Sequence, residues 1–275
     1  MTHRITHIIM VFMVLSISLT SCTHSSGIVI QPVDTGSMDK VYDAFWFNNN
    51  KGPTIPYRLL KPEKYAGRHP KKGYPLVVFL HGIGERGNDN KAQLKWCADY
   101  FARWQGQYPM YVLFPQCDTD FYWTLPQRPT PFDADLMPCF DNTNYLYPVL
   151  LKLIQNVVEN NDIDPDRIVL AGFSMGAVAS LDIGWRQAAR FAGVCAIAGA
   201  ANRSRAPYLA KTSIWLEHCA DDPSMPVATA RALAKELAVM GADVVYNEHP
   251  EGGHAGFHLL KDDKFMKWIF TRQRH

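Results

Sequence analysis

Hydrophobic and polar positions follow two patterns along the chain, short apolar runs and segments with helical spacing. Six apolar runs, each bounded by Gly, Pro or polar residues, predict buried strands: Leu76–Leu80, Met110–Phe114, Ile168–Phe173, Val194–Ile197, Ser213–Leu216 and Val244–Tyr246. Apolar residues repeat at helical spacing in three further segments, 146–157, 230–240 and 265–271. Strands that alternate with helices predict an α/β fold with a mostly parallel central sheet and helices on both faces.

Two more apolar segments, Val41–Phe47 and Ile55–Leu60, precede this alternation. The turn-forming sequence NNNKGP separates them, so they predict an N-terminal antiparallel hairpin. Ligands of a parallel sheet bind beyond the carboxyl ends of its strands, and we expect the functional residues there.

The N-terminus differs from the rest of the chain. Residues 8–19 form a mostly apolar run that follows Arg4 and is too short to span a membrane. The run ends in LTSC, which resembles the lipoprotein box of bacterial export signals. We therefore predict that Cys22 is acylated and becomes the mature N-terminus. The alternative is an ordinary secretory signal cleaved near Ser21.

Charge narrows the possible partners. The 275 residues include 28 Lys or Arg and 26 Asp or Glu, for a formal net charge of +2, and contain no long basic run. Because binding to a phosphate backbone needs a basic patch, nucleic acid is not an expected partner.

The cysteines give little evidence of a metal or disulfide framework. Five follow Cys22, none in a C-x-x-C spacing, which argues against a zinc site. An exported chain can form one or two disulfides, and the pair that we favour is Cys117 with Cys139, since both fall in one long loop region. The alternative is that all five are small buried thiols.

Ser174 lies in the sequence GFSMG, between Gly172 and Gly176. This motif alone is weak evidence, but here it follows an apolar strand and precedes a helical segment. In such a turn the serine has strained backbone angles and its hydroxyl is exposed at the helix N-terminus. Ser174 is therefore the predicted nucleophile, and it requires a histidine base and a carboxylate that orients the base.

Two loops that follow strands supply these partners. The sequence HCADDP contains Asp221 and Asp222, and a later Gly-rich loop contains His254. We predict Asp222 as the carboxylate, with Asp221 as the alternative. We predict His254 as the base because the two preceding glycines let the backbone turn towards Ser174.

Other histidines near the predicted strand ends are expected to be structural. They are His81, His218, His249 and His258, the last of which is expected on the following helix.

Backbone N–H groups that bind the oxyanion of a tetrahedral intermediate are the remaining requirement. The strand at 76–80 runs into His-Gly-Ile-Gly, where glycines let the main chain turn its N–H groups inward. We predict the oxyanion donors to be Met175, directly after the nucleophile, and Ile83, with Gly84 as a competitor. Glu85 and Arg86 are expected to fix this loop through internal contacts.

These stretches together resemble the secreted carboxylesterases of the α/β-hydrolase superfamily, in the group of feruloyl esterases, acetylxylan esterases and polyhydroxybutyrate-depolymerase-like "predicted peptidases". The matching sequences are PYRLLKPEKY, PLVVFLHGIGERGNDN, IDPDRIVLAGFSMGAVASL, HCADDP, GGHAGF and KWIFTRQR. The resemblance implies an α/β-hydrolase fold and the triad Ser174, Asp222 and His254. Two departures, Cys219 and Ala177 where many relatives have Gly, remove no catalytic group.

The chain from Phe114 to Asn144 is a long connection with five aromatic residues after Phe114, among prolines, and loops of this length are often functional. We predict that it forms one wall of the site and that Trp123 contacts the substrate. The alternative is that these aromatic residues only pack the loop onto the domain.

The domain organisation follows from these assignments. Residues 1–21 are predicted to be a lipoprotein signal peptide, 22–39 a tether, and 40–275 an α/β-hydrolase catalytic domain. The domain is expected at the cell envelope or cell surface, held to the membrane through the lipid anchor only.

The predicted activity is hydrolysis of carboxylic esters through an acyl-enzyme, without a metal or other cofactor. The resemblance suggests feruloyl or acetyl groups on polysaccharide, or related small esters. One alternative is a serine peptidase on the same fold. A second is a catalytically silent surface protein that binds carbohydrate.

Overall fold

The computed structural model describes residues 38–48, 52–62, 70–188 and 190–274. The predicted signal peptide, Cys22 and most of the predicted tether lie outside these residues. No helix in the described part of the chain is both long and apolar enough to cross a membrane.

One eight-stranded sheet organises the described residues, with the order β1-β2-β4-β3-β5-β6-β7-β8. The strands are β1 Asp43–Phe47, β2 Ile55–Leu60, β3 Tyr74–Leu80, β4 Tyr111–Pro115, β5 Ile163–Phe173, β6 Gly193–Ile197, β7 Ser213–Cys219 and β8 Val244–His249. β2 pairs antiparallel with β1 and β4, and the other neighbours are parallel. The predicted mostly parallel sheet with an N-terminal antiparallel hairpin is confirmed.

Helices cover both faces of this sheet. They are α1 Ala98–Arg103, α2 Leu146–Glu159, α3 Met175–Arg186, α4 Ala206–Leu209, α5 Val227–Val239 and α6 Lys264–Thr271. Successive side chains of a strand point to opposite faces, so Val78 of β3 belongs to one core with α2, α3, α4 and α5, while Phe79 belongs to the other with α1 and α6. The short helices α1 and α4 were not predicted, because each is too short to show a helical period.

The strands β7 and β8 extend beyond the apolar runs that predicted them. Glu217 of β7 is buried, and its carboxylate accepts hydrogen bonds from Trp215 Nε1 and Asn247 Nδ2, both at 3.0 Å, and lies 2.7 Å from His249 Nε2. These partners satisfy the hydrogen-bonding groups of the buried carboxylate, so β7 continues through Glu217. The apolar pattern had predicted that the strand ends before this polar residue.

The predicted disulfide between Cys117 and Cys139 is wrong. All five cysteines of the described residues are free thiols, and Cys139 is the exposed one. Cys117 is fully buried, and its thiol donates to the Phe121 carbonyl at 3.4 Å. Cys139 instead lies against Arg205, whose Nε donates to the Cys139 sulfur at 2.6 Å. The shared loop region therefore did not bring the two thiols together.

This arrangement predicts selective thiol labelling. We expect iodoacetamide to modify Cys139 first under native conditions, because burial both excludes the reagent from Cys97, Cys117 and Cys195 and raises their pKa values. Peptide mapping by mass spectrometry measures the order of modification, with Cys139→Ser as the control. Equal labelling of Cys117 and Cys139 in the native protein would contradict the prediction.

Candidate active site

Ser174 occupies the sharp turn between β5 and α3. Its φ of 54° lies in the left-handed region that residues other than glycine rarely adopt, and its N–H donates to the Ile197 carbonyl at 2.9 Å. Both flanking residues must be glycine because other backbone atoms lie too close for a Cβ. A Cβ on Gly172 would lie 2.2 Å from the Gly176 oxygen, and one on Gly176 would lie 1.9 Å from the Leu80 oxygen. The predicted strand-turn-helix geometry is present.

His254 lies beside this turn, on a single 3-10 turn that follows β8. Gly252 and Gly253, with φ values of 139° and 60°, bend the chain before it. His254 Nε2 is 2.8 Å from Ser174 Oγ, within the range for accepting the serine proton. The ring of Phe173 packs against the imidazole, with the centroids 5.1 Å apart, and helps to fix its orientation.

Asp222 completes the hydrogen-bonded chain. His254 Nδ1 donates to its carboxylate, at 2.8 Å from Oδ2 and 3.0 Å from Oδ1. The N–H groups of Ser224 and Met225 donate to Oδ1 at 2.8 and 2.9 Å. Burial by itself raises the pKa of Asp222, but hydrogen bonds from His218, His254 and these two amides outweigh it and hold the pKa well below its usual range. Asp222 is therefore ionised at neutral pH.

Asp221 has a different position from its neighbour. Its Oδ1 accepts a hydrogen bond from Gly253 N–H at 2.8 Å, and its Oδ2 accepts one from Gly252 N–H at 3.2 Å. Asp221 thus anchors the backbone that carries His254, whereas Asp222 contacts the imidazole. Of the two aspartates that the sequence left open, the geometry favours Asp222 as the partner of the histidine.

Four other histidines make contacts inside the protein. His81 is buried and neutral, because burial lowers its pKa to about 4; its Nε2 accepts from Cys117 N–H at 3.0 Å. His218 Nε2 donates to the Met225 carbonyl at 2.9 Å. His249 is paired with the buried Glu217, and its ring stacks on that of His258 with the centroids 4.0 Å apart.

The expected helical position of His258 is wrong. His258 begins a 3-10 turn, His258–Lys261, that ends before α6. Its Nε2 lies 2.8 Å from the Glu251 carbonyl oxygen. This hydrogen bond holds the loop that carries His254.

The two predicted oxyanion donors both line the cavity that contains Ser174. Met175 is the first residue of α3, so its N–H has no acceptor within the helix. Ile83 begins a 3-10 turn, Ile83–Glu85, directly after β3. Both residues line the same cavity as Ser174 and His254, an arrangement in which their N–H groups can bind a developing negative charge.

Glu85 and Arg86 fix this segment through internal contacts, as expected. Glu85 is buried and accepts from Trp96 Nε1 at 2.9 Å. Arg86 Nη1 donates to the carbonyls of Thr119 and Phe121 at 2.8 and 3.2 Å. Arg86 therefore ties the predicted oxyanion loop to the loop after β4.

A cavity of about 190 Å³ opens beside Ser174, and the loop between β4 and α2 forms much of its wall. Trp123 belongs to this wall but is fully buried, and its indole N–H donates to the His81 carbonyl at 3.0 Å. Trp123 therefore packs the loop onto the end of β3, and its contact with substrate stays a prediction. Tyr122 and Phe132 are partly exposed in the same wall and present aromatic surface to a ligand.

Sequence reasoning missed two polar residues of this wall, Thr124 and Arg128. Neither belongs to a motif, and only the path of the loop brings them to the cavity.

Within the residues that the structure describes, no group of three or more His, Cys, Asp or Glu side chains is placed to hold a metal ion.

Comparisons with known proteins find similar sequences and structures among esterases and lipases. The sequence model of the phospholipase/carboxylesterase family matches residues 140–260, a stretch that contains Ser174, Asp222 and His254. Lysophospholipase-like protein 1 of Mus musculus is 23% identical over 240 residues, which are 79% of this chain and 92% of the mouse protein.

Two solved structures extend the comparison. A thermostable esterase aligns with a TM-score of 0.75 and 31% identity over 86% of this chain, and this chain spans 64% of the length of that esterase chain. A ferulic acid esterase aligns with a TM-score of 0.60 and 17% identity, over 84% of this chain and 97% of its own. At that identity the second likeness shows the fold alone.

Proposed function

We propose that the chain hydrolyses carboxylic esters through Ser174, His254 and Asp222, because residues 140–260 match the phospholipase/carboxylesterase family model and the chain is similar in structure to a thermostable esterase. The observation that carries this proposal is the continuous hydrogen-bonded chain from Ser174 Oγ through the imidazole to the Asp222 carboxylate. A serine hydroxyl is a poor nucleophile at neutral pH, and this arrangement supplies the base that activates it.

The first half of the reaction acylates the enzyme. His254 Nε2 takes the proton of Ser174 Oγ as the oxygen attacks the ester carbonyl carbon. The negative charge that develops on the carbonyl oxygen is bound by the N–H groups of Met175 and Ile83. The carbon–oxygen bond to the alcohol then breaks, and the alcohol leaves with the proton from His254. Ser174 now carries the acyl group.

The second half regenerates the enzyme by the same route. His254 takes a proton from a water molecule, and the water oxygen attacks the acyl carbon. The bond to Ser174 Oγ breaks, the serine regains its proton from His254, and the carboxylic acid leaves. Asp222 remains ionised throughout and stabilises the imidazolium that forms twice in each cycle.

The substrate that we propose has an acyl group small enough for the cavity beside Ser174, such as a feruloyl or acetyl group on a polysaccharide. The size of the cavity and the aromatic surface of Tyr122 and Phe132 support this class. The likeness to a ferulic acid esterase is consistent with it. The proposal includes export and a lipid anchor at Cys22, which would hold the domain near extracellular polysaccharide.

Active-site labelling tests the proposed function. The full chain is treated with a fluorophosphonate, and we expect mass spectrometry to find one adduct on Ser174 and p-nitrophenyl acetate hydrolysis to stop in proportion to labelling. Ser180 of α3 is an internal control, because its hydroxyl is buried and donates to the Gly176 carbonyl. Methyl ferulate, acetylated xylan and peptide p-nitroanilides are assayed in parallel. An unlabelled Ser174 together with no turnover of any ester would refute the proposal, and faster turnover of the anilides would indicate a peptidase.

A further inference from the structure

Arg128 is an exposed arginine in the wall of the Ser174 cavity. Its guanidinium carbon lies 5.6 Å from the centre of the Phe132 ring, and it takes part in no hydrogen bond or ion pair with the described residues. Every other arginine in the described ranges donates at least one hydrogen bond: Arg58, Arg86, Arg103, Arg167, Arg186, Arg190, Arg203, Arg205, Arg231, Arg272 and Arg274. Arg128 is therefore distinguished by its position and by its free donors.

Thr124 is a second group of the same wall with unused hydrogen-bonding capacity. Its side chain is 1% exposed, and its hydroxyl has no hydrogen-bond partner among the described residues. A buried hydroxyl without a hydrogen-bond partner destabilises the folded protein, and a ligand group that bonds to it would remove that cost. Thr124 and Arg128 belong to the same loop, between β4 and α2, and line one cavity.

The rest of the cavity wall is apolar or neutral and provides no negative charge. The residues that line it include no Asp or Glu, and the Asp222 carboxylate is occupied by His254 and two backbone amides. An anionic ligand group would therefore meet attraction from Arg128 without repulsion from a neighbouring carboxylate. The planar guanidinium matches a carboxylate through two parallel hydrogen bonds.

We infer that the esters hydrolysed at Ser174 carry a carboxylate on the part of the molecule that occupies this cavity, bound by Arg128, with the Thr124 hydroxyl as a second polar contact. The inference rests on the proposed function and narrows its substrate class to esters with a free carboxylate, which the alcohol side must supply where the acyl group is feruloyl or acetyl. Arg128 and Thr124 are then specificity-determining residues: they bind a part of the substrate remote from the reacting carbonyl and take no part in proton transfer.

Matched pairs of esters test the inference with the full chain. On the acyl side, methyl 4-carboxycinnamate is compared with its neutral amide, methyl 4-carbamoylcinnamate. On the alcohol side, 4-carboxybenzyl acetate is compared with 4-carbamoylbenzyl acetate. In one of the two series we expect kcat/KM to be about tenfold higher for the carboxylate, the size of effect typical of a hydrogen-bonded charged pair. The preference should shrink at high ionic strength.

Variants assign the preference to the two residues. Arg128→Gln is expected to reduce the carboxylate-to-amide ratio to about one, and Arg128→Lys to keep part of it because the charge remains. Thr124→Val keeps the shape of the side chain, removes the hydroxyl, and should lower kcat/KM for both polar esters relative to methyl cinnamate. Arg190→Gln is the matched control, since it removes one exposed positive charge that does not line the cavity; it should retain the full ratio.

The outcomes separate this inference from the proposed function. Equal kcat/KM for carboxylate and amide in both series, with ester turnover intact, overturns the inference, as does a preference that survives Arg128→Gln. Binding of the same esters to Ser174→Ala, measured by calorimetry, does not depend on turnover. Tighter binding of the carboxylate there, with no hydrolysis by the unmodified chain, would refute the proposed activity and leave Arg128 as a carboxylate-binding residue only.

Discussion

Replacing Asp222 by Asn is expected to lower kcat for p-nitrophenyl acetate by about 10⁴-fold. The Asn amide would present a donor where the carboxylate now accepts the His254 Nδ1 proton at 2.8 Å. The imidazole would then be held in the tautomer that carries its proton on Nε2, and Nε2 could not accept the proton of Ser174. Ser174→Ala removes the nucleophile itself and is expected to lower kcat by about 10⁶-fold.

Asp221→Asn is the matched control for this prediction. Asp221 accepts from two backbone N–H groups and does not contact the imidazole, so its loss is expected to loosen the loop and lower kcat by about tenfold or less. Steady-state kinetics on the variants, with circular dichroism as a check on folding, measures the difference. If Asp221→Asn were the more damaging of the two substitutions, the assignment of Asp222 to the triad would be wrong.

The contrast between these aspartates shows where sequence reasoning stops. Ser174 and His254 are identified by local signals, a strand-turn-helix motif and a pair of glycines, because backbone constraints in a short segment leave few residue types possible. Asp221 and Asp222 are adjacent in one loop, and only the turn after β7 decides which carboxylate faces the histidine. Local spacing does not distinguish the two carboxylates, and the sequence supported Asp222 only through the resemblance to a known family that the HCADDP loop helps to carry.

The sheet and the longer helices were predicted from the spacing of apolar residues. Buried parallel strands leave continuous apolar runs, and covering helices leave a regular period, so β3 to β6 and α2 were evident. The ends of β7 and β8 were not, since Glu217 is buried through its partners on other strands. Where β7 and β8 end depends on hydrogen bonds between residues that are distant in sequence. The spacing of apolar residues contains no information about these bonds.

The loop after β4 was the least predictable part of the site. Its length and aromatic content indicated a functional wall, yet Trp123 is fully buried within that wall, and Cys117 and Cys139 are unpaired. The exposure of Arg128 to the cavity depends on how the whole loop packs, for example on the bonds from Arg86 to the carbonyls of Thr119 and Phe121. Loops have no period from which such packing can be derived.

Gly176→Ala is expected to destabilise the protein by about 3 kcal/mol or more, which corresponds to a fall in Tm of about 6–12 °C for a domain of this size. The added methyl group would lie 1.9 Å from the Leu80 carbonyl oxygen and 2.8 Å from that of His81. Both contacts are with backbone, so no side chain can rotate away. Relief requires α3 to move off the end of β3, which would carry Ser174 away from His254 and remove activity as well.

Gly106→Ala provides the matched control, because a Cβ at Gly106 meets nothing within 4 Å. The control is expected to change the free energy of unfolding by about 0.5 kcal/mol or less. Thermal and urea unfolding measure both variants, and soluble yield is recorded in case Gly176→Ala does not fold. A Gly176→Ala protein as stable and active as Gly106→Ala would mean that α3 and β3 can separate at no measurable cost. The close approach of helix and strand would then not be what positions Ser174, and glycine at 176 would have no structural role in the site.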